Sequence, residues 1–322
     1  MHRVLITGGS GFIGTNLVEH YRLRGDQVVN IDAKAPQHPE HGPLWKKIDV
    51  LDRAGLLRAV VEFDPELVYH MAARTDLNGK TADDYSINTR GVVNVIEAFR
   101  ALRRLRLAIF ASSMLVCRIG YGPKDEFDYC PSTAYGESKV EGEQLMRKNA
   151  ANALPWIIVR PTSIWGPWFG PPYRDFFTMV QRGLYFHPKA RAIRRSYGFV
   201  LNTVFQLDRL AAAEGGALLG RAVYLADYEP LELKHWADTI QRALDVRPVR
   251  QVPLWAMRSA ARIGDLLKLF GVAAPISSFR LNNMLTEMIH DISPLARACG
   301  TTPYTMEEGV RLTCDWLRRY SK

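Results

Sequence analysis

Cysteine is scarce in this chain of 322 residues, and no segment stays apolar for long. The cysteines are Cys117, Cys130, Cys299 and Cys314. They form neither a C-x-x-C pair nor the spacing of a zinc site, so we expect reduced thiols in a reducing compartment. The absence of any run of about 18 apolar residues argues against a membrane span. The strand-like residues that follow Met1 leave no room for a signal peptide, so we expect a cytoplasmic protein.

Long runs of positive charge are also missing, although the formal net charge is +9. The basic residues are scattered, and no basic run is interleaved with aromatics, so we expect no nucleic acid as partner. The excess of positive charge instead favours a phosphate-bearing ligand or an anionic lipid surface. Apolar residues make up 47% of the chain, which is enough for a core that needs no disulfide or structural metal.

Short strand patterns alternate with helical patterns through the first half of the chain, which is typical of a parallel sheet covered on both faces. The predicted strands are 3–7, 27–31, 67–70, 107–112 and 155–159. The predicted helices start after a glycine-rich turn and end near residue 24, then span about 54–63, 85–103 and 133–150. We therefore predict an α/β fold with a Rossmann-like doubly wound parallel sheet.

The first predicted strand runs straight into a glycine-rich turn, residues 8–14, that opens a helix. Glycines there allow a tight turn, bring the backbone close to a pyrophosphate, and let the helix pack against the strand. The helix N-terminus adds free N–H groups and the positive end of its dipole. We expect a dinucleotide to contact Gly8, Gly11, Phe12, Ile13 and Gly14.

An acidic residue ends the second predicted strand. It is Asp32, eighteen residues after Gly14. A carboxylate there accepts hydrogen bonds from the adenosine ribose and repels a 2′-phosphate, so we predict NAD as the cofactor. Lys34 close by leaves NADP as the alternative.

A tyrosine and a lysine, Tyr135 and Lys139, lie four residues apart in a predicted helix that Ser132 or Thr133 can cap. This spacing places both on one helix face. An ammonium beside a phenol lowers the phenol's pKa, so we expect Tyr135 to act as a base near neutral pH. Ser113 ends a strand 22 residues earlier, and its hydroxyl can bond the same reacting oxygen.

The glycine turn, Asp32, Ser113 and the Tyr135/Lys139 pair together resemble the extended short-chain dehydrogenases/reductases, the family of NAD-dependent nucleotide-sugar epimerases, dehydratases and reductases. Further stretches are similar to motifs of that family: residues 49–50 to D-[VIL], 68–73 to V-x-H-x-A-A, 88–94 to N-x-x-G-x-x-N, and 160–167 to R-x-x-N-V-[YF]-G-P. The likeness covers about residues 3–208 well and the C-terminal third loosely. It implies that Tyr135 is the acid/base, that Lys139 also holds the nicotinamide ribose, and that Ser113 polarises the sugar hydroxyl or ketone.

The resemblance also implies two sets of contacts. Those to the cofactor add Asp49, Val50, Met71, Ala72, Ala73, Asn88, Tyr135, Lys139 and Pro161 to the glycine turn and Asp32. Those to the substrate are Thr75, Ser113, Met114, Tyr135, Ser163 and Arg195. We expect residues 1–165 to form an NAD-binding Rossmann domain with the Ser/Tyr/Lys site. Residues 166–322 would form mainly a smaller C-terminal α/β lobe for the substrate, with a soft boundary that the chain can cross. A homodimer and a role in polysaccharide biosynthesis follow from the same resemblance.

The sequence departs from the family pattern at two places. Met114 and Leu115 stand where 4,6-dehydratases carry Asp-Glu, and neither can move a proton, so we do not expect such a dehydratase. Ser163 replaces an asparagine that contacts the substrate phosphate in the family, whereas Arg195 matches an arginine that meets the diphosphate. We predict an epimerase acting at C4 of a UDP-hexose. The alternatives are a 4-ketosugar reductase, a steroid- or flavonoid-type reductase, and a non-catalytic NAD(P)-sensing protein.

Two other segments permit a second interpretation. His38 and His41 lie in a proline-rich stretch without further ligands, so we expect a solvated loop and no metal. Residues 254–270 place basic side chains along one stripe of an apolar helix. A helix packed on the small lobe is the commoner arrangement, and peripheral contact with an anionic membrane is the alternative.

Overall fold

A computed structural model describes residues 1–150, 154–269 and 277–320 of the chain. The strands are β1 (Arg3–Thr7), β2 (Gln27–Asp32), β3 (Trp45–Lys47), β4 (Leu67–His70), β5 (Leu107–Ala111), β6 (Trp156–Pro161), β7 (Ser163–Trp165), β8 (Phe186–Lys189), β9 (Arg194–Arg195), β10 (Tyr197–Phe199), β11 (Ala222–Leu225), β12 (Leu231–Glu232) and β13 (Arg250–Pro253). The helices are α1 (Phe12–Leu23), α2 (Arg53–Phe63), α3 (Arg90–Phe99), α4 (Ala134–Ala150), α5 (Tyr173–Gln181), α6 (Val200–Ala212), α7 (Leu233–Leu244), α8 (Leu254–Leu269), α9 (Ser278–Leu285), α10 (Ser293–Cys299) and α11 (Met306–Tyr320).

Seven strands form one sheet in the order β11-β6-β5-β4-β1-β2-β3, and every neighbouring pair is parallel. The chain starts at β1, winds outward to β3, and then returns to β4 on the other side of β1. The strand order therefore reverses between β1 and β4, and the carboxyl ends of these strands border a crevice of the kind that binds ligands in such sheets. The predicted Rossmann-like doubly wound fold is confirmed.

Helices cover both faces of this sheet because its strands are apolar on both sides. On one face α1, α6 and α10 contribute Leu17, Tyr21, Val204, Leu207 and Leu295 to the core. On the other face α2, α3 and α4 contribute Leu56, Val60, Val95, Phe99 and Met146. Burial of such side chains is worth roughly 1.5–3 kcal/mol each, so these two layers hold the sheet and the loops at its carboxyl edge in place.

A third, aromatic-rich core lies beyond residue 163 and includes Trp165, Phe177, Phe199 and Trp236. Two-stranded pairs, β10 with β7, β12 with β9 and β13 with β8, flank it. The chain nevertheless returns to the large sheet, because β11 pairs with β6. The division into lobes at residue 165 stays a prediction.

The predicted strands are found to within about two residues at each end, and the helices predicted near 12–24, 54–63 and 133–150 are found as α1, α2 and α4. The helix predicted at 85–103 is shorter, since α3 starts only at Arg90 and ends at Phe99. The side chain of Asn88, two residues before α3, accepts from Arg74 N at 2.9 Å and donates to Arg74 O at 3.0 Å.

None of the helices in the described part of the chain is both long enough and apolar enough to cross a membrane.

Candidate active site

The glycine turn between β1 and α1 is shaped by close contacts within the protein. Gly8 has a φ of +73°, and a Cβ built on it would lie 2.4 Å from Ala72 N. A Cβ on Gly14 would lie 2.2 Å from Gly8 O. At Gly11, by contrast, a Cβ would meet only Gly8 O, at 3.2 Å, among the described residues. Gly8 and Gly14 are thus required by the fold itself, whereas Gly11 leaves its backbone open on the outer side of the turn, as a pyrophosphate cradle requires.

The carboxylate of Asp32 lies against this turn. Its Oδ2 accepts a hydrogen bond from Ser10 N at 3.1 Å, and its Oδ1 accepts one from Lys34 N at 2.9 Å. Trp45 Nε1 donates to the Asp32 backbone carbonyl at 2.8 Å and fixes the end of β2. An acid and an open helix N-terminus thus lie side by side, and this donor and acceptor set fits the ribose and pyrophosphate of NAD.

Two hydrophobic residues of α1, Phe12 and Ile13, join the turn to the rest of the molecule. Both are half-buried and pack against the aromatic core, and the Phe12 ring lies 6.3 Å from that of Phe169. Their side chains therefore connect the first turn of α1 with the loop that follows β7. The expected contact of the N–H groups of the same turn with the cofactor stays a prediction.

The residues expected at the adenine end are held by α3. Asn94 Nδ2 donates to Val50 O at 2.9 Å, and Leu51 N donates to Asp49 Oδ1 at 2.8 Å. A Cβ on Gly91 would come within 3.0 Å of Val50 Cγ2. Asn94 and Gly91 therefore position the loop that carries Asp49 and Val50.

The loop after β4 lies beside the glycine turn. Met71 N donates to Thr7 O at 2.9 Å, which continues the β1–β4 pairing beyond the strand end. Ala72 and Ala73 follow and are half-buried, and the Ala72 backbone is the atom group nearest to Gly8. Asn88 then ties this loop to α4, because its Nδ2 also lies 3.0 Å from Ser138 Oγ.

Ser113, Tyr135 and Lys139 come together at the carboxyl end of β5. Each side chain is more than nine-tenths buried. The Ser113 hydroxyl lies close enough to the Tyr135 phenol to influence its pKa, and it accepts from Leu115 N at 3.1 Å. Lys139 Nζ donates to the backbone carbonyl of Ala111 at 3.0 Å. The predicted cap of α4 is Thr133, whose Oγ1 accepts from Gly136 N at 3.0 Å.

The pKa values of this site differ from the sequence-based expectation. Burial raises the pKa of Tyr135, and the nearby Ser113 hydroxyl offsets only part of that rise. Burial also lowers the pKa of Lys139 to about 8. The predicted lowering of the Tyr135 pKa by Lys139 is therefore wrong for this structure, in which the ammonium is directed to Ala111 O and desolvation dominates.

A small cavity of about 20 Å³ lies under the site, bordered by His70, Asn88, Ser112 and Lys139. It is large enough for about one water molecule. Ser112 Oγ is buried there without a hydrogen-bond partner among the described residues. His70 is held neutral, since burial lowers its pKa to about 3.

The residues expected to contact a substrate are spread over several loops. Met114 is half-buried at the start of a short 3-10 helix, Met114–Val116, and Thr75 is exposed. Pro161 ends β6, and Ser163 opens β7 close to the phenols of Tyr173 and Tyr197. These phenols are retained as neutral donors, because burial raises their pKa values.

Arg195, which was expected to contact the substrate, has partners within the protein that the sequence did not predict. Its Nε and Nη2 both donate to Thr286 O, at 2.9 and 2.8 Å, and its positive charge lies close enough to Tyr197 to lower the pKa of that phenol. Much of its donor capacity is thus used within the protein. A diphosphate contact by Arg195 would rely on the donors that remain.

Two residues near the site, Tyr85 and Glu143, were not identified from the sequence. Tyr85 is fully buried, and its ring packs edge-on against Tyr135 with centroids 5.9 Å apart, so it contributes to the desolvation of that phenol. Glu143 lies two turns after Tyr135 on α4 and is paired with Arg160 in the interior. The arginine of the 160–167 stretch could have suggested a buried acid partner, although not which one.

Most residues around His38 and His41 are exposed, as predicted for a solvated loop, but His41 itself is an exception. His41 is fully buried, its ring stacks on His38 with centroids 4.4 Å apart, and its Nε2 lies 2.9 Å from Glu19 Oε2. These three residues offer ligand atoms within 4.8 Å of one another. Arg22, however, donates to both oxygens of Glu19 and holds its pKa at about 2. The negative charge of Glu19 is therefore already paired with Arg22. The guanidinium would repel a metal cation bound to the same carboxylate.

The sheet order, the open glycine turn with its acid, and the buried Ser/Tyr/Lys group define a dinucleotide-dependent enzyme. The sequence model of the NAD dependent epimerase/dehydratase family matches residues 4–184, more than half of the chain. The chain therefore belongs to the NAD dependent epimerase/dehydratase family, within the extended short-chain dehydrogenases/reductases, as the motifs predicted. NAD is its cofactor.

Individual relatives of the chain differ in activity. It is 29% identical over 255 residues to a 3-beta-hydroxysteroid dehydrogenase of Mycolicibacterium neoaurum, covering 73% of this chain and 68% of that protein. It is 27% identical to the UDP-glucose 4-epimerase of Vibrio cholerae, covering 97% and 94%. The structure of the Thermus thermophilus UDP-glucose 4-epimerase in complex with NAD superposes with a TM-score of 0.73 at 23% identity, covering 98% and 99%. That structural likeness shows the shared fold.

Proposed function

We propose that the protein is a nucleotide-sugar epimerase that acts at C4 of a UDP-hexose, with Tyr135 as the acid/base. The observation that carries the proposal is the burial of Ser113, Tyr135 and Lys139 together at the carboxyl edge of β5, with Ser113 close enough to Tyr135 to lower the pKa of its phenol. The end-to-end similarity to the Vibrio cholerae UDP-glucose 4-epimerase supports it.

The glycine turn and Asp32 would hold NAD, which would supply a reversible hydride acceptor for the sugar carbon. Tyr135 takes the proton of the sugar hydroxyl as the carbonyl forms and gives it back in the second half of the reaction. Ser113 hydrogen-bonds the same oxygen and, by its hydroxyl close to Tyr135, favours the phenolate. Lys139, placed one helical turn after Tyr135 with its Nζ on Ala111 O, would hold the nicotinamide ribose, as the family resemblance implies. Burial of the whole group excludes water from the ketone.

A 4-ketosugar reductase would use the same residues. In that reaction Tyr135 only donates a proton, and a ketosugar arrives already oxidised. An epimerase converts its sugar without added reduced cofactor, whereas a ketosugar reductase consumes reduced cofactor. The NMR experiment described below therefore separates the two reactions.

A second candidate is a dehydrogenase for an apolar secondary alcohol of the steroid type. The position of Arg195 favours it, because two donors of the side chain are committed to Thr286 O instead of facing a diphosphate. The similarity to the hydroxysteroid dehydrogenase of Mycolicibacterium neoaurum is in keeping with this reading. A non-catalytic NAD(P)-sensing role is the remaining alternative, and the retention of Ser113, Tyr135 and Lys139 speaks against it.

The proposal extends to the organisation of the protein. We place the cofactor domain at residues 1–165 and the substrate lobe mainly at 166–322, in a cytoplasmic homodimer that serves polysaccharide biosynthesis. Sedimentation equilibrium of the purified chain tests the dimer.

The decisive experiment is proton NMR of the purified protein with UDP-, dTDP- and GDP-hexoses, without added reduced cofactor. We expect one UDP-hexose to convert to its C4 epimer, and Tyr135→Phe to lower the rate by about 10²–10⁴-fold. Tyr320→Phe, at a half-exposed tyrosine of α11, is the matched control and should leave the rate unchanged.

Other outcomes would reassign the function. Reduction of a chemically prepared 4-ketosugar by NADH, with no epimerisation of any sugar, would identify the reductase. NAD reduction at 340 nm with a hydroxysteroid, with all nucleotide sugars inert, would identify the second candidate. If Tyr135→Phe retained the full rate of whichever reaction is found, the role assigned to this tyrosine would be incorrect.

A further inference from the structure

Helix α8 is amphipathic in an unusual way, because apolar side chains occur on two opposite sides of it. Met257 and Ala261 are buried and pack against Leu281 of α9 in a small separate core. Trp255 and Leu266 point the other way and are 73% and 55% exposed. Only the first side has a partner among the described residues.

The start of α9 extends this exposed surface. Asp265 of α8 accepts from Ser278 N with both oxygens, at 3.1 and 3.3 Å, which places the first turn of α9 beside the C-terminal half of α8. Phe279, the next residue along α9, is 73% exposed. Ile263 and Leu267 of α8 are exposed as well. We name this surface the α8–α9 face, consisting of Trp255, Arg258, Arg262, Ile263, Leu266, Leu267 and Phe279.

Positive charge borders the apolar side chains. Arg258 and Arg262 lie one helical turn apart, on the side of α8 next to Trp255 and Leu266, and both are exposed. Arg247 and Arg250 precede the helix and are exposed too. None of these four arginines forms a salt bridge within residues 1–150, 154–269 and 277–320. Asp265, the single acid of α8, is occupied in capping α9.

We infer that the α8–α9 face docks the protein on an anionic phospholipid surface. Exposed Trp, Phe, Ile and Leu side chains would enter the boundary between headgroups and acyl chains, and the arginines would remain at the phosphates. The charge of the face favours a membrane over a second copy of the chain. An aromatic and aliphatic patch beside arginines without salt bridges complements an anionic bilayer. Two copies meeting through this face would bring like charges together. The inference concerns binding of the whole chain and is independent of which sugar or alcohol is the substrate.

The test is co-sedimentation of the full chain with vesicles of phosphatidylcholine alone and of phosphatidylcholine with phosphatidylglycerol. We expect binding to the phosphatidylglycerol vesicles and much less at high salt, because screening shortens the reach of the arginine charges. The double variant Arg258→Gln/Arg262→Gln should lower the partition coefficient about 25-fold, since each basic residue near such a surface contributes about fivefold. Trp255→Ser/Phe279→Ser should lower it on the same vesicles by at least about tenfold.

Matched controls separate this face from general charge and hydrophobicity. Arg311→Gln/Arg319→Gln removes two exposed arginines of α11, and Leu23→Ser removes a 70% exposed leucine of α1. Both should bind vesicles like the parent chain, and all variants should keep its thermal midpoint. Equal losses in the control and test variants would overturn the inference, as would no binding to either vesicle. Trp255-dependent self-association in analytical ultracentrifugation, without vesicle binding, would instead identify the face as an interface between copies of this chain.

Discussion

Arg160 and Glu143 form a bidentate salt bridge between β6 and α4, with Arg160 Nε 2.8 Å from Glu143 Oε1 and Nη2 2.7 Å from Oε2. Both side chains are at most 2% exposed. Arg160 Nη2 also donates to Glu126 O, and Tyr129 donates to Glu143, so further hydrogen bonds support the pair on both sides. Since α4 carries Tyr135 and Lys139, this pair fixes the catalytic helix against the sheet.

Removing one partner should be strongly destabilising, because the other charge is left buried and unpaired. We expect Glu143→Gln and Arg160→Met each to lower the free energy of unfolding by about 3–5 kcal/mol, measured by urea denaturation. The double variant Glu143→Leu/Arg160→Met should lose less than the sum of the two single changes. Strict additivity would show that the two side chains do not act as a pair.

Replacement by alanine should have different consequences at two glycines of the turn, Gly8 and Gly11. Gly8→Ala should disrupt the fold, since its Cβ would collide with the Ala72 backbone at a positive φ. Gly11→Ala should disturb the fold less than Gly8→Ala, because its Cβ would meet only Gly8 O, at 3.2 Å, among the described residues, and it should weaken NAD binding at the proposed cradle. Calorimetric titration with NAD and thermal unfolding of both variants separate the effects. An unchanged NAD affinity in Gly11→Ala would contradict the proposed cradle.

Ser113 is expected to control the pKa of Tyr135. Ser113→Ala removes the hydroxyl that favours the phenolate of Tyr135. The limb of the kcat/KM pH profile that reports Tyr135 should therefore move to higher pH by about one unit. Ser112→Ala is the matched control, as the neighbouring hydroxyl has no partner in the described structure. Parallel shifts in both variants would mean that the Ser113 hydroxyl is not the cause.

Asp227 should make the fold less stable as the pH rises. Burial raises its pKa from 3.8 to about 7, although it accepts from Phe199 N and Asn202 Nδ2. The folded state thus holds this proton more tightly than the unfolded state, so the contribution is complete below about pH 4 and is lost as the pH passes 7. Between pH 5.5 and 8 the free energy of unfolding should fall by about 1 kcal/mol more in the parent than in Asp227→Asn, since solvent reaches part of the side chain. Identical pH dependence of the two proteins would rule this out.

Local patterns were sufficient to predict the glycine turn, the strand ending at Asp32, and the Tyr135/Lys139 helix with its cap, because each is decided by residues within one or two turns of chain. The partners of Arg160, Asp227 and Arg195 were not predictable in the same way. Arg195 meets Thr286 across 91 residues, and Glu143 meets Arg160 across the α4–β6 connection. The pKa of Tyr135 was misjudged for a related reason, since the burial that raises it comes from residues such as Tyr85 on another segment.

The pairing of β11 with β6 has a practical meaning for protein engineering. A gene fragment that stops at residue 165 would lack β11 and α6, and would leave Ile157 and Val159 without the neighbours Val204, Leu207 and Val223. Such a fragment should aggregate through its bare β6 edge. Chimeras that graft a foreign substrate lobe onto this cofactor domain must therefore exchange two separate pieces of chain and keep residues 200–225 with the parent sheet.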